Sequence, residues 1–381
     1  MVGGRGGGLR LLVLVPLLVA GAAAPAVGLD EVVTKRVVRV RDLPTLSGQV
    51  VPLLELGVET YGRLNATRDN VVLIGHFLAG DGHAAGRLGD ASGPVGWWDA
   101  LIGPGLAIDT NRLFVVSLDL PCNMKVKSPA VVTTGPSTVD PRTGRRYGLD
   151  FPAFGVRDMV RAQRAALDAL GVRRLVAVIG PSMGGMLAWQ WAVEFPDHMD
   201  LIVPASAPIT FSASQRAGMQ AAAAAVRADP QWAFGAYADL GTDPSLGVAM
   251  AMQGLSAIAA GPVAQWSFWL NLQRHLADAR RFDANHYLSL IDLHLGWDLG
   301  SELGSREAAY RRIRARVLVL GSQDDDFVTP ALLREATGEL QAAGASARLV
   351  LVAGRNGHLS VLDDARLFGP ALAQELARVT P

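Results

Sequence analysis

The chain has 381 residues, 50% of them hydrophobic and 18% charged, with 35 basic and 35 acidic side chains and a formal net charge of zero. At roughly 100 to 200 residues per domain, this globular composition suits one large α/β domain with an insertion, or two domains. No block of Lys or Arg supplies the electrostatic footprint of nucleic-acid binding, so that class is set aside.

The first stretch differs from the rest. Arg5 and Arg10 precede the apolar run Leu11 to Val19, and small residues follow from Ala20 to Ala26 and at Gly28. A charged region, an apolar region and a small-residue cleavage zone predict a signal peptide over 1–28, with export to the periplasm or medium and no membrane attachment after cleavage. If the signal is not used, the chain stays in the cytoplasm. Pro16, Gly21 and Pro25 interrupt a run barely able to span the ~30 Å hydrocarbon core. Cys122 is the sole cysteine, so no intramolecular disulfide is available, and it is expected as a small buried hydrophobe.

Alternating apolar and polar residues from Val32 to Leu56 predict early antiparallel strands at the sheet's edge. Val71 to Gly75 is a continuous apolar run, as in a parallel strand buried on both faces, and it opens into the loop His76 to Asp81. His76 and His83 are expected to pack and hydrogen-bond there. Leu113 to Leu118 predicts another buried strand, and Val156 to Leu170 an amphipathic helix. The long irregular stretch from Asp119 to Pro152 is expected to be functional or mobile.

From Arg174 to Glu194 a buried-strand run breaks at Gly180-Pro181-Ser182-Met183-Gly184-Gly185 into an apolar helix. This is the pattern of a nucleophile elbow, in which a serine sits on a strained strand-to-helix turn and glycines make room for neighbouring backbone. Trp189 and Trp191 on that helix are expected in the core. After a strand at Leu201 to Ala205, helical periodicity runs to about Tyr310, which predicts a lid inserted over 211–304 into a core formed by 29–210 and 305–381. Strand periodicity returns at Val317 to Leu320, followed by Asp324-Asp325-Asp326, and at Ala347 to Val352, followed by His358.

Serine, acid and histidine in this order, each at a strand end, is the chain order of an α/β-hydrolase triad. A neutral hydroxyl needs the base His358, and the histidine needs a carboxylate to fix its tautomer. Any of the three aspartates can fill that place. The backbone N–H groups of Leu78 and Met183 are the candidate oxyanion donors. Seven histidines and one cysteine show no zinc-ligand spacing, so no metal is expected. The fold expected is a mostly parallel sheet with helices on both faces and a helical lid.

Several long motifs then bring a resemblance. From about Thr60 to Leu362 the chain resembles the homoserine O-acetyltransferase family of α/β hydrolases. The motifs are TYGRLNATRDNVVLIGH, GWWDALIGPGLAIDTNR (Gly96 to Arg112), TGPSTVDPRTGRRYGLDFP (Thr134 to Pro152), VRDMVRAQ (Val156 to Gln163), GPSMGGM and RFDANHYL (Arg281 to Leu288). The resemblance implies Ser182 as nucleophile, Asp325 as acid and His358 as base. It also implies ping-pong transfer of an acyl group from coenzyme A, through the serine, to an acceptor hydroxyl. No permanent cofactor is implied; the partners are a small acyl donor and acceptor, and a homodimer is compatible with it.

The departures bear on the acceptor. The family's homoserine enzymes usually place an aspartate directly after the histidine, where it helps bind the acceptor's amino group; here stands Leu359. The family's lid motif YLRYQG is replaced by Trp266 to Asn271, so Trp266 and Trp269 are candidate pocket residues. The segment Ser206 to Gln215 lacks the arginine and asparagine expected to grip a carboxylate, and the stretch Cys122 to Thr134 is longer and carries Lys125 and Lys127. An apolar residue cannot pair an ammonium, which predicts a changed substrate choice. Three readings follow: an acyltransferase with an acceptor other than homoserine, an exported serine esterase handing its acyl group to water, and a catalytically silent binding protein, which the intact serine, acid and histidine disfavour.

Overall fold

Period-2 alternation decides which way each strand residue faces, and here both faces of the central strands are covered. The computed structural model describes residues 28–259 and 268–380; the expected signal peptide falls almost wholly outside them. A hairpin opens the main sheet, with β1 (Arg36–Pro44) antiparallel to β2 (Val50–Tyr61). The remaining strands are β3 (Val71–Ile74), β4 (Phe114–Leu118), β5 (Leu175–Pro181), β6 (Met199–Ala205), β7 (Arg316–Ser322) and β8 (Ala347–Val352). Their spatial order is β8-β7-β6-β5-β3-β4-β2-β1, and every neighbouring pair from β8 to β4 is parallel. This is an α/β-hydrolase sheet.

The apolar run at β3 shows the logic. Val71 and Leu73 join one hydrophobic core, and Val72 and Ile74 join another on the opposite face. The first core is built with α1 (Val156–Ala169) and α2 (Met183–Glu194), where Trp189 and Trp191 are buried as expected. Trp191 Nε1 finds Gln163 Oε1 at 2.8 Å, which satisfies the indole's only donor. The second core includes Trp98, Leu101 and Phe368. Cys122 is buried, as expected, and burial pushes its thiol far above the usual range.

Between β6 and β7 the described chain makes helices: α3 (Ala213–Ala228), α4 (Ser245–Ala259), α5 (Phe268–Ala279), α6 (Ala284–Leu295) and α7 (Arg306–Arg312). Their starts are written locally. Ser212 and Gln215 close a capping box at α3, and Asp283 accepts from Asn285 and His286 N–H at α6. Beyond β7 follow α8 (Pro330–Ala342) and α9 (Gly369–Leu376).

The stretch from 119 to 152, expected as functional or mobile, is pinned at several points. Gly57 N–H donates to Val132 O at 2.8 Å, Glu55 N–H to Thr134 Oγ1 at 2.8 Å, and Asp283 N–H to Met124 O at 2.7 Å. Ser137 donates from N and Oγ to His286 Nε2 at 3.1 and 2.9 Å. The long connection is therefore a strap laid from β2 to α6.

A buried ionic cluster ties the hairpin to the loop after β3. Lys35 Nζ lies 2.9 Å from Asp119 and 3.7 Å from Glu59, while Tyr61 Oη donates to Glu59 at 2.8 Å and His83 Nδ1 meets it at 2.9 Å. Asp119 also accepts from Gly82 N–H at 2.7 Å and Val132 N–H at 2.9 Å. Removing the one lysine leaves two buried carboxylates facing each other, a change that costs roughly 3–5 kcal/mol. Lys35→Met is expected to lower the unfolding free energy from urea titration accordingly, while the surface variant Arg39→Met changes it by less than about 1 kcal/mol.

Candidate active site

Adjacent parallel strands end on the same edge of a sheet, and open α/β sheets place their sites there. Ser182 follows β5, the loop carrying Leu78 follows the neighbouring strand β3, and the loops carrying Asp325 and His358 follow β7 and β8. The four candidates thus leave one edge.

At the elbow Ser182 has φ 51° and ψ −114°, a conformation that costs a non-glycine residue roughly 1–3 kcal/mol and persists only when its surroundings enforce it. The surroundings are backbone. A Cβ at Gly180 would lie 2.5 Å from the Gly184 carbonyl carbon, and one at Gly184 would lie 2.2 Å from Gly75 O. Three glycines therefore let β3, β5 and α2 meet without side chains between them. Ser182 N–H donates to Ala205 O at 2.8 Å, and Gly185 and Met186 N–H donate back to Ser182 O at 2.9 and 3.0 Å.

A hydrogen-bonded chain leads away from the serine. Ser182 Oγ lies 3.0 Å from His358 Nε2, and His358 Nδ1 lies 2.9 Å from Asp325 Oδ2. The other oxygen of Asp325 accepts from Phe327 and Val328 N–H at 2.9 and 2.8 Å. Asp325 and His358 are both buried, and the Phe327 ring stands edge-on to the imidazole at 5.0 Å. With Nδ1–H donating to the carboxylate, Nε2 is free to accept the serine proton. The three aspartates are thereby sorted: Asp326 is exposed, and Asp324 accepts from Gly357 N–H at 2.8 Å and from Ser322 Oγ.

Met183 opens α2, whose first N–H groups have no intrahelical acceptor. Leu78 lies in the turn from Phe77 to Gly80, closed by Gly80 N–H to Phe77 O at 2.9 Å. Lys125 Nζ pairs with Asp81 at 3.0 Å beside that turn, and Lys127 pairs with Asp243 at 3.0 Å. Trp266 lies outside the described residues, as does the side chain of Trp269. The cleft of about 430 Å³ lined by Leu149, Gln190, Trp232 and Trp297 contains none of Ser182, Asp325 or His358.

The comparisons with known proteins match this geometry. The family described as the α/β hydrolase fold covers residues 85–365. A homoserine O-acetyltransferase of Symbiobacterium thermophilum is 39% identical over 344 residues, 84% of this chain and 87% of that protein. The chain belongs to the homoserine O-acetyltransferase family of α/β hydrolases. Among solved structures, a homoserine O-acetyltransferase from Bacillus anthracis is similar with TM-score 0.86 at 31% identity, covering 92% of this chain and 99% of that one. Esterase E22 is similar with TM-score 0.85 at 32% identity, covering 92% of this chain and 100% of that one. The family membership makes this an acyltransferase-type α/β hydrolase, with an esterase among its near structural neighbours.

Within this homoserine O-acetyltransferase scaffold, sequence reasoning missed the supports. Lys35, Glu59 and Asp119 carried a signal, since charged residues interrupt or terminate otherwise apolar strands, but their meeting across the hairpin is a tertiary fact. His76 packs as expected: Nδ1–H donates to Phe77 O at 2.8 Å, and Nε2 accepts from Leu120 N–H at 3.3 Å and Asn123 Nδ2 at 3.2 Å. Burial pushes it down to about 4, against an ordinary value of 6.5. The unfolded chain therefore takes up a proton below about pH 6.5 that the folded chain refuses until about pH 4, so stability falls as pH drops through that window, by about 3 kcal/mol when complete. Buried His286 and His294, also shifted down, act in the same direction. Stability-versus-pH curves are expected to show this acid-side loss, and His76→Gln to flatten it.

Proposed function

We propose that Ser182 attacks the acyl donor and forms an acyl-enzyme, with His358 as general base and then acid, Asp325 as its carboxylate partner, and the Leu78 and Met183 N–H groups facing the oxyanion. The observation that carries this reading is the hydrogen-bonded chain from Ser182 through His358 to Asp325, at 3.0 and 2.9 Å, on a strained elbow. Deprotonating Oγ as it bonds to the acyl carbon leaves His358 as imidazolium. The imidazolium then returns its proton to the leaving group. A second nucleophile repeats the cycle in reverse, so the reaction is ping-pong. The donor is a small acyl ester or thioester, with acyl-coenzyme A the donor the family resemblance suggests; no permanent cofactor enters.

The acceptor is read as a nucleophile other than homoserine. Leu359, next to the base, is apolar and 39% exposed. Phe327 stands edge-on to His358, and Phe211 lies 6.1 Å from Phe327. Arg216, in the first turn of the lid's first helix, donates to the carbonyls of Phe211, Leu295 and Trp297 and to Thr210 Oγ1, so its guanidinium is committed to holding the lid. These surroundings offer an amino acid's ammonium and carboxylate little. A second reading, hydrolysis by water, is favoured by the same apolar residue at 359 and by the likeness to the esterase. The signal peptide expected over 1–28 supports it further, because coenzyme A thioesters are cytoplasmic; N-terminal sequencing of the mature protein tests export.

Ser182→Ala is expected to lose roughly 10⁶-fold in ester hydrolysis and all labelling by a fluorophosphonate probe; full activity in that variant refutes the acyl-enzyme. With acetyl-CoA, an aryl acetate and homoserine together, hydrolysis is expected to outrun O-acetylhomoserine formation, and the opposite order overturns the acceptor reading. Leu359→Asp supplies a half-exposed carboxylate worth about 1 kcal/mol to an ammonium, so KM for homoserine is expected to fall about fivefold.

A further inference from the structure

The turn that carries His358 is held by three successive backbone N–H groups, each with a different side-chain acceptor. Arg355 N–H donates to Asp364 Oδ2 at 3.0 Å, Asn356 N–H to Ser360 Oγ at 2.9 Å, and Gly357 N–H to Asp324 Oδ2 at 2.8 Å. Ser360 and Asp364 lie a few residues further along the same turn. Asp324 alone comes from the other loop, 33 residues away, next to the acid itself. Its second oxygen accepts from Ser322 Oγ at the buried end of β7. The contact is tight: a Cβ at Gly354 would fall 2.2 Å from Ser322 Oγ and 2.3 Å from Ser360 Oγ.

Beyond the sheet, few polar links join these two loops. Gln323 N–H donates to Val352 O at 2.9 Å where the strands end, Asp325 holds the imidazole, and Asp324 holds the peptide just before it. The hydrogen bond that Asp325 accepts from His358 fixes how the ring turns, but it leaves the backbone beneath the ring free to drift. Gly357, at φ +57°, sits where a short turn needs an anchor. We propose that Asp324 is a positioning residue for His358, clamping the Gly357 peptide to the acid loop so that Nε2 stays within reach of Ser182. The proposal rests on the acyl-enzyme reading above.

The test uses steady-state hydrolysis of an aryl acetate by the full chain. Asp324→Ala is expected to lose roughly 10- to 100-fold in kcat/KM, the scale of an ångström-sized misplacement, with most of the loss in kcat. Asp324→Asn keeps an oxygen for Gly357 N–H and an amide for Ser322 Oγ, and is expected to recover most of that loss. Asp326→Asn, at the exposed neighbour, leaves the rate unchanged. Wild-type kcat/KM in Asp324→Ala, or a loss that Asp324→Asn does not recover, overturns the proposal. Circular dichroism and fluorophosphonate labelling of each variant separate a folding defect from a misplaced base. Ser182→Ala in the same assay distinguishes this failure from failure of the acyl-enzyme itself.

Discussion

Everything at the active edge depends on backbone meeting backbone at Gly75, Gly180 and Gly184. A methyl group at position 184 would stand 2.2 Å from Gly75 O, closer than packed atoms ever come. That absence of side chains lets the start of α2 press onto the end of β3, and the pressure holds Ser182 at φ 51°. The strain is local, roughly 1–3 kcal/mol, and it is absorbed by strands whose residues are almost wholly buried. The serine's exposure and the positive end of the helix then arise from the same packing that makes the sheet.

The loops around this point are rigid for a different reason. They carry many buried polar groups, and several of these find partners across a long sequence separation. Lys35, Glu59, Asp119 and His83 join the first hairpin to the loop after β3, and Lys125 brings the long strap to Asp81. His76, neutral and locked by three hydrogen bonds, fills the space between them. Such networks are worth more than their pairwise sum and fix one arrangement of the backbone, which is what the proposed oxyanion donor at Leu78 would require.

The sheet was legible because its signals are local. Val71 to Ile74 is apolar without interruption, and β3 is buried on both faces. The elbow is spelled by Gly180, Ser182 and Gly184, and the order of serine, acid and histidine follows from strand ends that can be counted. What could not be read needed tertiary partners. Chain order alone leaves Asp324, Asp325 and Asp326 equivalent, and only the family resemblance pointed to Asp325; in the fold Asp325 is buried against the histidine and Asp326 is exposed. The strap from 119 to 152 looked loose because its Pro, Gly and Thr residues suit a coil. Its anchors, Gly57 and His286, are distant in sequence. Trp266 and Trp269, proposed for the pocket, are outside the described residues or have side chains that are, so the lid's aromatic face rests on the sequence alone.

Leu359 sits one residue from the base yet keeps 39% of its surface in solvent. A side chain so placed contributes little to the core, so exchanging it costs the fold almost nothing, whereas any change at Gly184 collides with backbone. The two halves of the chemistry are therefore under unequal constraint. On the proposed reading, acyl-enzyme formation is tied to positions packed against backbone, while the choice of what collects the acyl group is tied to a half-exposed one. A scaffold built this way can change customers by drift at its rim without ever losing its nucleophile, and transferases and esterases sharing one backbone are the natural outcome.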